Sequence, residues 1–135
     1  MADWSITALN TADLNPKRRI DVLYDRARTT HVDSNVEVKR YYDISSQLLN
    51  SARKLFAKGQ HEASLLSFLR YQTLVKNLKT HTRYKDLPIG KRAAFDYKLK
   101  EVAKNVKKLN EIVFGEYKRF FNLTDQNITS QDLEG

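Results

Sequence analysis

The strongest constraint on the fold is one segment that carries apolar residues on two sides of a helix. Within residues 60–85, Ser64, Phe68, Tyr71, Val75 and Leu78 recur at three- and four-residue steps and share one helical face. Leu65, Leu66 and Leu69 fall roughly opposite, at about 100° per residue. A helix that is apolar on two sides has to be covered from both. The spacing therefore predicts a central rod over about residues 60–80, sandwiched between other helices.

The flanking segments supply candidates for the covering helices. Phe95, Leu99, Val102, Val106, Leu109, Val113, Tyr117 and Phe120 form a continuous seam of coiled-coil type, predicting a helix over residues 91–120. Tyr41, Ile44, Leu48, Ala52 and Leu55 mark the apolar face of a helix over residues 36–58, while Asp43, Gln47, Asn50, Arg53 and Lys54 read as solvated. Gly59 is placed to end that helix by adopting positive φ, and so short a linker makes the next helix its antiparallel neighbour. Asn15 and Pro16 give an N-cap and a first-turn proline for a helix over residues 16–29. Its short stripe of Ile20, Leu23, Tyr24 and Ala27 predicts an accessory packed across the bundle. Pro88 and Gly90 mark the connection over residues 80–90, with Tyr84 expected to pack its ring on the bundle end. The expected fold is all-α: an antiparallel three-helix bundle with an additional N-terminal helix, spanning residues 15–121. Residues 1–14, with Trp4, read as a flexible arm, and residues 122–135 as a flexible tail or the start of a linker.

Length and composition narrow the function. A chain of 135 residues is expected to form one domain. With no cysteine, thiolate metal sites, disulfides and a cysteine nucleophile are excluded. No apolar run reaches the length of a membrane span and no signal peptide is visible, so a cytosolic or nuclear protein is expected. His31, His61 and His81 are far apart and form no zinc-binding pair. No Gly-rich phosphate loop, nucleophile elbow or dinucleotide fingerprint occurs, so neither catalysis nor a cofactor is expected. Asp21 and Asp25, beside Arg18 and Arg28, read as an ordinary solvated helix face.

All 24 Lys and Arg lie between Lys17 and Arg119, whereas five of the 16 carboxylates lie outside that span. A basic body between acidic ends points to an anionic partner: an acidic peptide, a lipid surface or nucleic acid. Nucleic-acid readout needs aromatic, Arg or amide side chains interleaved with the cations. Between Lys98 and Lys108 the charges are lysines apart from Glu101, and the aromatics of this helix lie in the seam, which favours a solvated face.

Residues 39–85 also carry a family resemblance. Lys39-Arg40-Tyr41-Tyr42, the small Ala52, Gly59-Gln60-His61-Glu62, Arg70-Tyr71-Gln72-Thr73-Leu74-Val75 and His81-Thr82-Arg83-Tyr84-Lys85 occur in register. Together they resemble the N-terminal helical domain, of the microtubule-interacting and trafficking class, of endosomal deubiquitinases of the AMSH and UBPY type. Arg83 departs from the pattern, standing where that family usually has Asp. The resemblance implies a non-catalytic module that recruits an enzyme to endosomes by binding C-terminal tail helices of ESCRT-III subunits. Some relatives dimerise through this region, so homodimerisation is a second implied role. Apolar residues off the core faces, Leu69 and Phe114, are the candidate groove anchors, with Arg70 and Lys76 as rim cations reaching acidic partner residues. Leu69 has an alternative role beneath the first helix. If it is an anchor, Leu69→Asp abolishes binding and leaves the fold intact.

Overall fold

The computed structural model describes the backbone of residues 15–134 and the side chains of residues 15–121. The described residues form four α-helices and no strand: α1 (Pro16–Arg28), α2 (Val38–Ala57), α3 (His61–Leu78) and α4 (Ile89–Glu134). The expectations for residues 1–14, Trp4 included, lie outside the described residues.

Local chemistry sets the helix ends. The Asn15 side chain accepts hydrogen bonds from the N–H groups of Lys17 (3.0 Å) and Arg18 (3.3 Å), and Pro16 occupies the first turn of α1. Between α2 and α3, Gly59 adopts φ 74°. Its N–H donates to Phe56 O at 3.0 Å, and the N–H of Gln60 reaches back to Leu55 O at 2.9 Å. This closes the end of α2 and reverses the chain. α4 begins directly after Pro88, whose carbonyl accepts from Lys91 and Arg92. Its helical backbone passes the expected end near residue 120, for between Gly115 and Gly135 the chain has no Gly or Pro to stop it.

α3 is the hub, packing against α2, α4 and α1. Contacts along their lengths give the directions. Ser64 Oγ donates to Ala52 O at 2.7 Å and Tyr41 meets the His81 ring at 6.1 Å, so α2 and α3 are antiparallel. His61 contacts Glu116, and Lys79 Nζ lies 2.8 Å from Asp96, so α3 and α4 are antiparallel too. Arg19 lies by Glu62, and Asn77 Nδ2 donates to Thr30 O at 2.9 Å, so α1 runs parallel to α3. The first helix thus lies along the bundle and not across it.

That placement explains the second apolar face of α3. Glu62, which meets α1 through Arg19, shares its helical face with Leu65, Leu66 and Leu69 at three, four and seven residues on. All three leucines are buried, as are Leu23 and Ala27 of α1. The other face of α3, with Phe68, Tyr71, Val75 and Leu78, is equally buried, and so are Phe95, Val102, Val106, Leu109, Val113 and Tyr117 of the α4 seam. Three expected core residues, Leu48, Leu55 and Leu99, lie half-buried at the margins. Phe120, at the end of the seam, is exposed.

One buried polar cluster ties α1 to the bundle. Arg19 (2% exposed) and Glu62 (4%) face each other with Nη2–Oε2 3.6 Å. The Tyr117 hydroxyl donates to the same Glu62 oxygen, and the Arg19 guanidinium lies 5.0 Å over the Tyr117 ring. Burial raises the Glu62 carboxyl above its ordinary 4.5, against the opposing pull of Tyr117 and Arg19. Burial, and then the Glu62 carboxylate, push the Tyr117 phenol well above its ordinary value.

At the other end of the bundle, His81 fixes the connection into α4. Its Nδ1 accepts the Arg83 N–H at 2.9 Å, so its Nε2 carries the proton and donates to Val36 O at 2.8 Å. Tyr84 stacks on Phe95 (6.5 Å, 24°), which is the ring packing on the bundle end expected of it.

Candidate docking site

Among the described residues a hollow of about 740 Å³ opens between α1 and α4. Ile20, Tyr24 and Phe114 give it apolar walls; Asp21, Asp25, Glu111, Arg28 and Asn110 give it polar ones. It follows from the placement of α1. Leu23 and Ala27 point into the core, which leaves Ile20 and Tyr24, one turn apart, half-buried on the flank toward α4. Asn110 Nδ2 donates to the Tyr24 hydroxyl at 2.6 Å and pins the floor. The Asn110 Oδ1 is buried and has no hydrogen-bond partner among the described residues. Arg28 Nη1 holds Asp25 at 2.7 Å, while Asp21 and Glu111 are exposed on the rim.

This is an acidic rim on a basic chain. Three carboxylates and one guanidinium line the hollow, so it favours a cationic visitor with an apolar face. The solvated reading of Asp21 and Asp25 holds as to exposure, but both also line the hollow. Phe121 lies seven residues after Phe114, on the same face of α4, and is 36% exposed. The apolar stripe therefore continues past the hollow toward the end of the bundle.

The four residues singled out from the sequence do not converge. Phe114 lines the hollow, half-buried, with Lys118 Nζ 5.1 Å over its ring. Leu69 is 4% exposed in the core beneath α1, so it is not a surface anchor. A charge placed there would meet the packed interior, and Leu69→Asp would not leave the fold intact. Arg70 is half-buried, and loss of water, then the nearby Arg26 guanidinium, lower its pKa. Lys76 is exposed on the last turn of α3 and does not line the hollow. What sequence reasoning missed was the pairing of the Ile20–Tyr24 flank with Phe114. The signal was present: Ile20 and Tyr24 widen the α1 stripe beyond what Leu23 and Ala27 alone need for the core.

No helix among the described residues is long and apolar enough to cross a membrane, and no group of three or more His, Asp or Glu among them could hold a metal ion.

Comparison with known proteins gives this geometry its context. A "STAM-binding protein-like" protein of Xenopus laevis is 29% identical over 93 residues, a stretch covering 68% of this chain and 22% of that relative. The chain thus matches about a fifth of the relative's length. The model of the USP8 dimerisation domain matches residues 10–120, which take in α1, α2, α3 and most of α4. The relationship to deubiquitinase domains expected from residues 39–85 is confirmed, and the chain belongs to the USP8 dimerisation domain family.

Proposed function

We propose that this chain is a non-catalytic assembly module that pairs with a second copy of itself, and so brings together proteins of the ubiquitin-cleaving machinery. The observation that carries the reading is the α1–α4 hollow, inside the matched region, with apolar walls and a carboxylate rim. A second copy supplies complementary charge, since 24 Lys and Arg stand against 16 Asp and Glu. A stable pair buries roughly 800 Å² on each partner. The contact therefore extends from Phe114 along α4 to Phe121. Light scattering on the purified chain tests this: the expected mass is twice 15.7 kDa, falling to one chain in Phe114→Glu with helical content unchanged. A mass of 15.7 kDa at every concentration overturns the pairing.

A second reading is supported by the α2–α3–α4 bundle and by exposed Lys100, Lys104, Lys107 and Lys108 on α4. A lysine face beside inter-helix grooves accepts an amphipathic acidic helix, such as a C-terminal tail of an ESCRT-III subunit, which would place the chain at endosomes. The rim of the α1–α4 hollow repels such a tail, so it docks elsewhere on the bundle. Calorimetric titration with ESCRT-III tail peptides tests this reading separately; heat that persists in Phe114→Glu separates it from pairing.

A further inference from the structure

The bundle end opposite the Arg19–Glu62 cluster shows an apolar side chain held out among cations. Ile89, the first residue of α4, is 77% exposed, more than any other large apolar residue described. The change is abrupt: Leu87, two residues earlier, is buried in the core, and Pro88 between them is exposed. The connection is anchored by the two hydrogen bonds of His81 and by the stacking of Tyr84 on Phe95. Beside Pro88 lies a hollow of about 600 Å³ lined by Lys39, Arg83 and Lys91, with Glu37 and Asp86 as its carboxylates. Arg83 Nε binds Asp86 at 2.7 Å, and Lys91 Nζ sits 4.4 Å over the Tyr42 ring. Lys85 is exposed on the same connection, and Tyr97, two turns along α4 from Ile89, is 68% exposed.

We propose that this end of the bundle docks on an anionic lipid bilayer, with Ile89 entering the acyl boundary and Lys39, Lys85 and Lys91 meeting headgroups. The partner's chemistry follows from the layout. Among the described residues Ile89 is the one large apolar side chain exposed on its turn of α4, and its neighbours along the chain include the cations Lys85, Lys91 and Arg92. Lys39, Arg83 and Lys91 beside Pro88, with Lys85 on the same connection, outnumber the carboxylates Glu37 and Asp86 and suit a diffuse array of negative charge, each cation adding to attraction toward an anionic surface. Tyr97 lies about 12 Å along the helix axis, where an amphipathic ring reaches headgroup level on a tilted helix. The site is separate from the α1–α4 hollow and does not depend on pairing.

Co-sedimentation of the whole chain with vesicles tests the proposal, comparing phosphatidylcholine alone with mixtures containing phosphatidylserine at low and high salt. The expected result is binding to the anionic vesicles only, falling as salt rises. Ile89→Asp should lower that binding by about tenfold or more, and Lys39→Glu with Lys85→Glu by a similar factor. An exposed aspartate in the first turn of a helix is compatible with folding, so unchanged helical content and unchanged mass by light scattering show that Ile89→Asp acts on docking alone. Equal binding to neutral and anionic vesicles overturns the proposal. So does an absence of binding at low salt, or an Ile89→Asp chain that binds as well as the parent.

Discussion

Replacing Arg19 with Met should leave the Glu62 carboxylate buried without its guanidinium, and the cost should depend on pH. Methionine keeps much of the volume and a good helix propensity, so α1 itself should persist. At 3.6 Å and an effective dielectric of about 20, the lost attraction is about 4–5 kcal/mol. Removing one partner of a buried pair typically costs about 3–5 kcal/mol, and we expect a loss in that range at neutral pH. Glu62's folded-state pKa lies above 4.5, so its favourable contribution is complete below that value and is lost as pH rises through the raised one. Arg19 pulls that pKa down; without Arg19 it climbs further. The gap between parent and Arg19→Met should therefore be widest at neutral and alkaline pH. It should narrow as pH falls toward 4.5, because protonation of Glu62 removes the buried charge that Arg19 offsets. Urea unfolding followed by circular dichroism at roughly pH 8 and roughly pH 5 measures both ends of this window. A loss below about 1 kcal/mol at the higher pH, or an equal loss at both, refutes the reasoning. Adding Glu62→Leu to Arg19→Met should restore much of the stability, because an apolar pair removes the stranded charge.

Two further outcomes follow from the packing. Leu69→Ala should lower the unfolding free energy by about 2–5 kcal/mol in denaturant titration, since it opens space beneath α1 in a fully packed layer. His81→Phe keeps a ring against Tyr41 but removes the acceptor for Arg83 N–H and the donor to Val36 O, costing about 1–3 kcal/mol. Faster hydrogen exchange at the Arg83 amide is its local signature.

Periodicity made most of the architecture legible and left the contacts between helices to the structure. The α4 seam and the two faces of α3 could be read because each spacing repeats over several turns, and Asn15, Pro16 and Gly59 marked ends through backbone chemistry. What covers a face is a different question. Leu69 shares its phase with Leu65 and Leu66, yet nothing in the spacing says whether α1, solvent or a partner lies over it. Nothing in the spacing marks Arg19 and Glu62 as buried, because their burial depends on meeting across helices distant in sequence. The hollow was hidden for the same reason, one wall coming from α1 and the other from α4. The polar segment after Asn122 read as a tail on composition, whereas what ends a helix is Gly, Pro or a competing cap, and neither Gly nor Pro occurs before Gly135.

α1 has two tasks, and they are physically coupled. Its inner side, Leu23 and Ala27 with Arg19, closes the second face of α3; its flank, Ile20 and Tyr24, forms one wall of the hollow. A helix of 13 residues is marginal on its own, so the wall exists only while the inner side is packed. Damage at Leu69 or Arg19 should therefore weaken the proposed pairing by loosening the wall, without either residue touching a partner. Damage at Phe114 should weaken the proposed pairing by removing an anchor from the flank of α4, outside its buried seam. The two routes differ in one measurable respect: loosening α1 lowers stability in step with binding, whereas losing the Phe114 anchor lowers binding at nearly constant stability. Loss of assembly identifies an interface residue only when stability has been measured alongside it.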